Sequence, residues 1–214
     1  MQLGRDGAEH FPGALASSEV SAILEILSDR AGSARLAAGY GLSAFLAPAD
    51  RIAGRFLSSE ARAVGAKFFD KSAHRNWSLG WHQDRTIPVR ERREVPGFCQ
   101  WTVKSGIHHC VPPFELLERM LTLRIHLDAA GADNAPLLIA PGSHRLGTLR
   151  ESDIATVVSR CGIHACLAKA GDLWAYATPI LHASARAESP ARRRVLQLLY
   201  SADKLPGGLE WLGV

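Results

Sequence analysis

The 214 residues contain no uninterrupted apolar run of the roughly 18–20 residues that a membrane-spanning helix needs. The first nine residues are polar and include Asp6 and Glu9, so they do not resemble a signal peptide. The four cysteines form no CxxC pair, which argues against a zinc site or a disulfide framework. These absences predict a cytoplasmic protein with reduced thiols and no membrane partner.

Positive charge is present but modest, with a formal net charge of +4. The arginines cluster at 85–93 and 192–194, and no aromatic residues alternate with them as in proteins that bind single-stranded nucleic acid. We therefore expect no nucleic-acid partner. Apolar residues make up 47% of the chain, which is enough for a packed core. The length suits a single domain over residues 1–214, and the sequence does not indicate an oligomeric state.

The pattern along the chain changes from helical to β-like near Val64. The first third reads as helical, with one helix that Ser17 or Ser18 begins and a second that follows Pro48. Short apolar segments separated by Gly, Pro and Asp then predict antiparallel strands at 98–103, 121–127, 137–140, 164–168, 173–176 and 195–201. Two further helices are predicted at 113–119 and 151–160, and turns at 141–144 and 170–172. Helices followed by many strands favour a mostly β fold, a sandwich or jelly roll with flanking helices.

Two His-x-Asp pairs are present, and each places two metal-ligating side chains on one face of a strand. The first is His82-x-Asp84, which lies among tryptophans and polar residues suited to a cavity. The second is His126-x-Asp128, which lies in an alternating segment typical of a half-buried strand, where the histidine would be a hydrogen-bonded wall residue. We favour the first pair as the metal site.

A distant histidine, His182, completes two histidines and one carboxylate with the first pair. This set is the facial triad of non-haem Fe(II) oxygenases, which leaves open positions for substrate and O2. Arg193 follows eleven residues later, and its planar fork suits a carboxylate co-substrate. Strand alternation predicts that Arg193 points to the opposite face from the arginines on either side. The hydroxyl of Ser184 is placed to bind the same anion.

These motifs resemble the phytanoyl-CoA dioxygenase family of Fe(II)/2-oxoglutarate oxygenases. The resemblance rests on segments spread over nearly the whole chain: Phe11-Pro12-Gly13, Trp81-His82-Gln83-Asp84, Pro141-Gly142-Ser143-His144, Gly171-Asp172 and Leu181-His182-Ala183-Ser184 with the arginine run. One departure is Ala135, where the family commonly has glycine before Pro-Leu. Alanine and arginine at 185 and 186, where Asn or Gly is usual, are another.

The resemblance implies a double-stranded β-helix, a jelly roll of the cupin type. It also implies iron ligands at His82, Asp84 and His182, with 2-oxoglutarate held by Arg193 and Ser184 and O2 as oxidant. Lys71 and Asn76 are further candidates for binding the co-substrate.

The primary substrate is predicted to be a small polar molecule with an anionic group. Three residues are candidates to receive it, namely Arg85, Arg124 and His108, and Asp128 is the alternative partner for Arg124. Two other functions stay open on the sequence. One is a non-redox metal enzyme with the same barrel, which would not need Arg193, and the other is a binding protein without catalysis.

Overall fold

The chain forms two main β-sheets flanked by short helices, as seen in a computed structural model that describes residues 1–37, 39 and 41–214. The helices are α1 (Leu3–Asp6), α2 (Ser17–Ile26), α3 (Ala47–Phe56), α4 (Phe114–Glu118) and α5 (Glu151–Cys161), with 3-10 turns at Leu42–Phe45 and Ser143–Arg145. The strands are β1 (Ala8–Phe11), β2 (Gly32–Leu36), β3 (Arg62–Lys71), β4 (Leu79–His82), β5 (Ile87–Val89), β6 (Cys99–Lys104), β7 (Ile107–Val111), β8 (Leu121–His126), β9 (Leu137–Ile139), β10 (His164–Cys166), β11 (Leu173–Ala177), β12 (His182–Ser184) and β13 (Arg193–Ser201). In the described part of the chain, no helix is long and apolar enough to cross a membrane.

A six-stranded sheet in the order β1-β11-β8-β13-β3-β2 and a four-stranded sheet in the order β10-β9-β12-β4 form the body of the fold. A smaller sheet, β5-β7-β6, stands beside them. The named strands pair in antiparallel fashion throughout. This is the predicted mostly β architecture, a jelly roll of the cupin type.

Alternation along the central strands separates an apolar face from a polar one. One face of the six-stranded sheet carries buried residues such as Phe68, Leu123 and Leu196, which form a core with α2 and α3. The residues between them point to the other face, toward the four-stranded sheet, and many are polar or charged. Such residues are costly to bury unless they have partners, so this inner face is where a ligand site is expected.

All six strands predicted from the C-terminal part of the sequence are present, with ends shifted by no more than two residues. The N-terminal third was predicted to be helical, and this is incomplete, because β1 and β2 lie there as well as α1, α2 and α3. Both extra strands are four or five residues long, lie at sheet edges and are mostly half-buried. The apolar–polar alternation of β1 and β2 is as weak as that of loops, and this is why the sequence did not predict them as strands.

Two small residues near the site, Gly65 and Ala135, lie at sterically restricted positions. A Cβ on Gly65 in β3 would lie 2.5 Å from Cγ of Pro88, so the absent side chain lets β5 approach β3 closely. Ala135 adopts a φ of +50°, in the left-handed region that favours glycine. The alanine that departs from the family pattern is therefore strained where glycine would not be.

Candidate metal centre

Two histidines face each other across the four-stranded sheet. His82 ends β4 and His182 begins β12, and the two residues are direct partners in the antiparallel pairing. Their ring centroids lie 4.2 Å apart. Asp84 joins them with carboxylate oxygens 3.9 Å from Nε2 of His82 and 3.7 Å from Nε2 of His182. One ligand atom from each of the three residues lies within 4.8 Å of the others, so the three are able to hold one metal ion.

The approach of Asp84 to His82 has a different cause from the one the sequence suggested. Strand alternation was expected to place both on one face, but β4 ends at His82 and Asp84 lies beyond it. The extended segment after the strand therefore carries the carboxylate to the histidines.

Backbone carbonyls fix the orientation of both imidazoles. Nδ1 of His82 donates to the carbonyl of Gly80 at 2.8 Å, and Nδ1 of His182 donates to the carbonyl of Ile180 at 3.0 Å. Each ring therefore carries its proton on Nδ1 and turns the lone pair of Nε2 toward Asp84. Hydrogen bonds of this kind orient metal-ligating histidines and raise their basicity.

The electrostatics of the site favour a charged Asp84 carboxylate beside a neutral His182 imidazole. Burial alone would raise the pKa of Asp84, but the positive charges of His182, His82, Lys67 and Arg124 together outweigh it, and the pKa falls below its usual value. Burial lowers the pKa of His182 to about 4, against the opposing effect of Asp84. One anionic and two neutral donors leave a bound divalent ion with a net positive charge that attracts further anions.

The two residues of the other His-x-Asp pair, His126 and Asp128, lie in different environments. Asp128 accepts two hydrogen bonds from the guanidinium of Arg194, at 2.7 and 2.8 Å. His126 is fully buried, and neither of its ring nitrogens has a hydrogen-bond partner among the described residues. The expectation of a hydrogen-bonded wall histidine is therefore wrong. Burial, and then the charges of Arg124 and Arg193, lower the pKa of His126 to about 3, so the ring is neutral.

A cavity that we call the inner cavity opens beside the three candidate ligands. Its walls include Lys71, Trp77, His82, Asp84, Arg124, His182, Ser184 and Arg193. Arg193 is 2% exposed, and its Nε and Nη1 have no hydrogen-bond partner among the described residues. Burial, and then Arg124, lower its pKa to about 10. A buried guanidinium without a partner is costly, so the inner cavity is suited to an anion.

Lys71 and Ser184 stand beside Arg193 and contact each other. Lys71 is the cross-strand partner of Arg193, and its Nζ donates to Oγ of Ser184 at 3.0 Å and to the carbonyl of Ala185 at 3.0 Å. Burial, and then the charge of Arg193, lower the pKa of Lys71 to about 8. Two cations and a hydroxyl thus meet at the end of the inner cavity.

The arginines on either side of Arg193 point away from the cavity. Arg192 is exposed and pairs with Asp70, with Nε 3.1 Å from Oδ1. Arg194 pairs with Asp128. The alternation expected along 192–194 is therefore present. Arg124, for which Asp128 was the alternative partner, instead donates from Nη1 to Oε1 of Gln197 at 2.9 Å.

A second cavity, which we call the outer cavity, adjoins the first. Its walls include Arg35, Lys67, Asp84, Thr86, His109, Thr178 and Gln197. Lys67, Asp84 and Gln197 line both cavities. Among the described residues that line either cavity, Asp84 is the single acidic one. The combined space therefore has a strongly positive wall with the candidate metal ligands at the junction.

Three of the predicted site residues are not brought to either cavity. The amide of Asn76 is bonded to the backbone of Ala187, at 2.9 Å as donor and 2.8 Å as acceptor. Arg85 donates to the carbonyl of Leu149 and toward Gln83. His108 alternates along β7 with His109, and His109 is the one that lines the outer cavity. All three are half-buried polar residues, and the sequence carried no signal that separated them from the residues that line the cavities.

The residues present fit an iron ion and a dicarboxylate co-substrate. Two imidazole nitrogens and one carboxylate form the donor set that non-haem Fe(II) centres use, with positions left open. The unpartnered guanidinium of Arg193 lies in the same cavity and offers a binding site for a distal carboxylate.

Comparison with solved structures agrees with this fold. The structure of EctD from S. alaskensis with bound Fe is similar, with a TM-score of 0.65 and 17% identity over 99% of this chain and 78% of that one. HygX from Streptomyces hygroscopicus with nickel and 2-oxoglutarate bound gives a TM-score of 0.57 and 14% identity over 93% and 84%. The epimerase SnoN in complex with Fe3+, alpha ketoglutarate and nogalamycin RO gives 0.62 and 18% over 96% and 88%. At these identities the likeness establishes the fold.

No curated protein sequence matches the chain. The family model for phytanoyl-CoA dioxygenase (PhyH) matches residues 43–195. That span contains His82, Asp84, His182 and Arg193, and it covers well over half of the 214 residues. The chain therefore belongs to the phytanoyl-CoA dioxygenase family of iron- and 2-oxoglutarate-dependent oxygenases.

Proposed function

We propose that this protein uses Fe(II), 2-oxoglutarate and O2 to oxidise a small polar molecule that carries an anionic group. The observation that carries the proposal is the buried, unpartnered guanidinium of Arg193 in the same cavity as a two-histidine, one-carboxylate cluster. A metal enzyme that uses no ketoacid co-substrate would not need a buried arginine of this kind. The HygX and SnoN structures contain 2-oxoglutarate, and SnoN also contains nogalamycin RO, which supports a small-molecule substrate.

His82, Asp84 and His182 would hold the iron through two Nε2 atoms and one carboxylate oxygen. Arg193 would bind the distal carboxylate of 2-oxoglutarate through its free Nε and Nη1, and Lys71 would add a second positive charge beside it. When bound, iron and the ketoacid supply the activation of O2, with release of CO2 and succinate. The contribution of the protein is to orient both carboxylate-bearing molecules and to keep the reaction away from bulk water.

Charge supports an anionic substrate. A divalent ion with one carboxylate ligand carries a formal charge of +1, and 2-oxoglutarate brings −2. Arg193 and Lys71 offset that charge, while Arg124, Lys67 and Arg35 remain as further cations on the walls of the two cavities. Partly buried cations need an anionic partner, and the described lining residues offer only Asp84.

The proposed setting is the cytoplasm. Cys99, Cys110, Cys161 and Cys166 are all free thiols. Cys110 and Cys166 are buried, and burial raises the pKa of Cys110 to about 11, which keeps the thiol protonated and unreactive. Free thiols of this kind suit a reducing compartment.

The test of the reaction class is the visible absorption of the protein with Fe(II) and 2-oxoglutarate under anaerobic conditions. We expect a charge-transfer band that requires both, because the ketoacid must chelate the bound iron. Asp84→Ala should abolish the band and iron-dependent production of succinate. Asp128→Ala is the matched control and should retain both.

A band that survives Asp84→Ala but is lost in Asp128→Ala would place the metal at the other pair. Catalysis that proceeds without 2-oxoglutarate would instead favour a non-redox metal enzyme.

A further inference from the structure

Four polar side chains form a continuous row across the inner face of the six-stranded sheet. Arg124 in β8 is paired with Gln197 in β13, Gln197 with Lys67 in β3, and Lys67 with Arg35 in β2. Directly paired residues of antiparallel strands share one face of a sheet, so the four side chains stand side by side. The row runs from the inner cavity, which Arg124 lines, to the outer cavity, which Arg35 lines.

The two halves of this row differ in their partners. Arg124 donates to Oε1 of Gln197 at 2.9 Å, and the hydroxyl of Tyr176 donates to the same atom at 3.2 Å. Lys67 and Arg35 have no such acceptor. Nζ of Lys67 lies 4.5 Å from the ring centroid of Phe69. Among the described residues, neither Lys67 nor Arg35 forms an ion pair or a side-chain hydrogen bond.

Like charges placed directly opposite each other on neighbouring strands destabilise a sheet. Here the free-energy cost of the repulsion is larger than at an exposed sheet edge, because Lys67 and Arg35 are both only partly exposed and line a cavity. The Lys67–Arg35 pair therefore does little to stabilise the fold. The pair is therefore best explained by an anion that binds between the two cations.

The surroundings of the pair also suit an anion. Nζ of Lys104 donates to the hydroxyl of Thr86 at 3.1 Å, which brings a third positive charge to the wall of the outer cavity. His109 lines the same wall, and its Nδ1 donates to the carbonyl of Ile107 at 2.9 Å. The polar residues that line the outer cavity are thus mostly cations and hydrogen-bond donors, with Asp84 at the junction with the metal centre, and apolar residues such as Ile107 and Leu199 complete the wall.

We propose that Lys67 and Arg35 form the binding site for the anionic group of the primary substrate, a carboxylate or a phosphate monoester on a small organic molecule. The proposal rests on the proposed function, and it names which residues recognise the substrate. With the anion held in the outer cavity, the rest of the molecule would extend toward Asp84, where His82, Asp84 and His182 would hold the iron.

The Lys67–Arg35 pair lies apart from Arg193, which is assigned to 2-oxoglutarate, although Lys67 also lines the inner cavity. Arg193 and Gln197 lie on the same strand, four residues apart, which corresponds to about 13 Å at roughly 3.3 Å per residue. Arg193 is paired with Lys71, and Gln197 is paired with Lys67. The two anion sites therefore lie at different levels of the sheet, with the candidate iron ligands beside both cavities.

The test measures the thermal unfolding temperature of the protein loaded with Fe(II) and 2-oxoglutarate in the absence of oxygen. The probes are inorganic phosphate and acetate, each added in increasing concentration. Chloride at the same ionic strength is the reference. We expect at least one probe to raise the unfolding temperature with saturation. Lys67→Met and Arg35→Met should each weaken the apparent affinity for that probe at least tenfold. Arg90→Met is the matched control, because Arg90 is exposed and pairs with Glu210 on the surface. A response to phosphate identifies a phosphate monoester, and a response to acetate alone identifies a carboxylate.

Stabilisation by 2-oxoglutarate should remain in Lys67→Met and Arg35→Met and be lost in Arg193→Met. If the probe affinity is the same in wild type and both cation variants, or if neither probe saturates, the proposal is overturned. If Lys67→Met and Arg35→Met lose the response to 2-oxoglutarate as strongly as Arg193→Met, the pair belongs to the co-substrate site and the proposal is also overturned. Failure of the wild type to respond to 2-oxoglutarate would instead reject the proposed function.

A second measurement does not depend on the choice of probe. Without any added anion, Lys67→Met should unfold at a higher temperature than the wild type, since it removes the repulsion with Arg35 and keeps the apolar stem. A lower unfolding temperature would mean that Lys67 supports the fold, and this would contradict a site kept for a ligand.

Discussion

Arg193 differs from its two neighbours in what its guanidinium meets. Arg192 and Arg194 have carboxylate partners in Asp70 and Asp128, whereas Arg193 is buried and has none among the described residues. Alternation along a strand predicted that Arg193 points to the face opposite its two neighbours, and its spacing of eleven residues from His182 was the reason to choose it as the inward one. The burial that makes an anion necessary there depends on the fold and was not visible in the sequence.

Arg193→Met should weaken the binding of 2-oxoglutarate to the iron-loaded protein by about 2–4 kcal/mol, because hydrogen bonds to charged groups contribute about 1.5–3 kcal/mol each. Calorimetric titration without oxygen measures this loss. Arg192→Met, in which an exposed arginine is replaced, serves as the control and should leave the affinity nearly unchanged. The reverse ranking would move the co-substrate site to the other face of β13.

Gln83 shows what residue-level reasoning missed. It separates the two candidate ligands of the first His-x-Asp pair, and its side chain is buried. Its amide donates to the carbonyls of Gly147 and Pro179 at 3.0 and 2.9 Å, and its Oε1 accepts from the backbone N–H of Leu149 at 3.0 Å. The partners are 64 to 96 residues away, so local sequence contains no sign of them.

Gln83→Leu should lower the free energy of unfolding by about 2–4 kcal/mol, since buried groups left without partners cost about 1–3 kcal/mol each. It should also weaken iron binding, because the anchored segment carries His82 and Asp84. Denaturant unfolding and Fe(II) titration measure the two effects. Gln2→Leu, at an exposed position, should change neither. Unchanged iron affinity in a destabilised Gln83→Leu would confine the glutamine to a structural role.

At the scale of the elements, β8 and β13 were predicted from their apolar pattern, whereas the ten-residue β3 and the short β4 and β12 were not. The segment at 121–126 alternates between the apolar core and the inner face, and its six residues are all buried. In contrast, β4 and β12, which carry the two histidines, have four and three residues. Strands this short have too few residues for a periodic pattern, so their pairing depends on the rest of the sheet.

The contact between β3 and β5 depends on Gly65. Gly65→Ala should destabilise the protein, because the new Cβ would lie 2.5 Å from Cγ of Pro88 in a wall of the outer cavity. Gly54→Ala in α3 is the matched comparison, with no atom within 4 Å of the new Cβ. It should stabilise by about 1 kcal/mol through helix propensity. Thermal unfolding of both variants measures the difference, and equal effects would show that Pro88 moves aside freely.

At the scale of the whole molecule, the interior has an excess of positive charge. Lys67 and Lys71 line the cavities, and burial is the largest cause that lowers the pKa of each to about 8. The next cause is a neighbouring arginine in both cases, Arg35 for Lys67 and Arg193 for Lys71. The total charge of +4 in the sequence did not reveal this concentration, because it depends on which strands become neighbours.

A lysine with a lowered pKa in the folded state binds fewer protons there than in the unfolded state above about pH 8. The free energy of unfolding of the ligand-free protein should therefore rise from pH 8 to pH 9. The buried thiols of Cys110 and Cys166 stay protonated in the folded protein, whereas free cysteine has a pKa of about 8.5, so they act in the opposite sense and reduce this rise. Denaturant unfolding at both pH values measures the slope.

Replacement of the lysine isolates its part in this pH dependence. Lys71→Met should reduce the slope, and Lys169→Met, at an exposed position, should leave it as in the wild type. An unchanged slope in Lys71→Met would mean that this amine has an ordinary affinity for protons in the folded protein.

Both outer strands of the six-stranded sheet come from residues that precede the family match. β1 covers β11 and β2 covers β3, and the match begins at residue 43. A chain that began at residue 43 would lack β1 and β2 and would expose the backbone N–H and C=O groups of β3 and β11, and uncovered strands of this kind pair with other molecules. We therefore expect the N-terminal residues to limit aggregation by covering these strand edges, and the same stretch supplies Arg35 to the wall of the outer cavity.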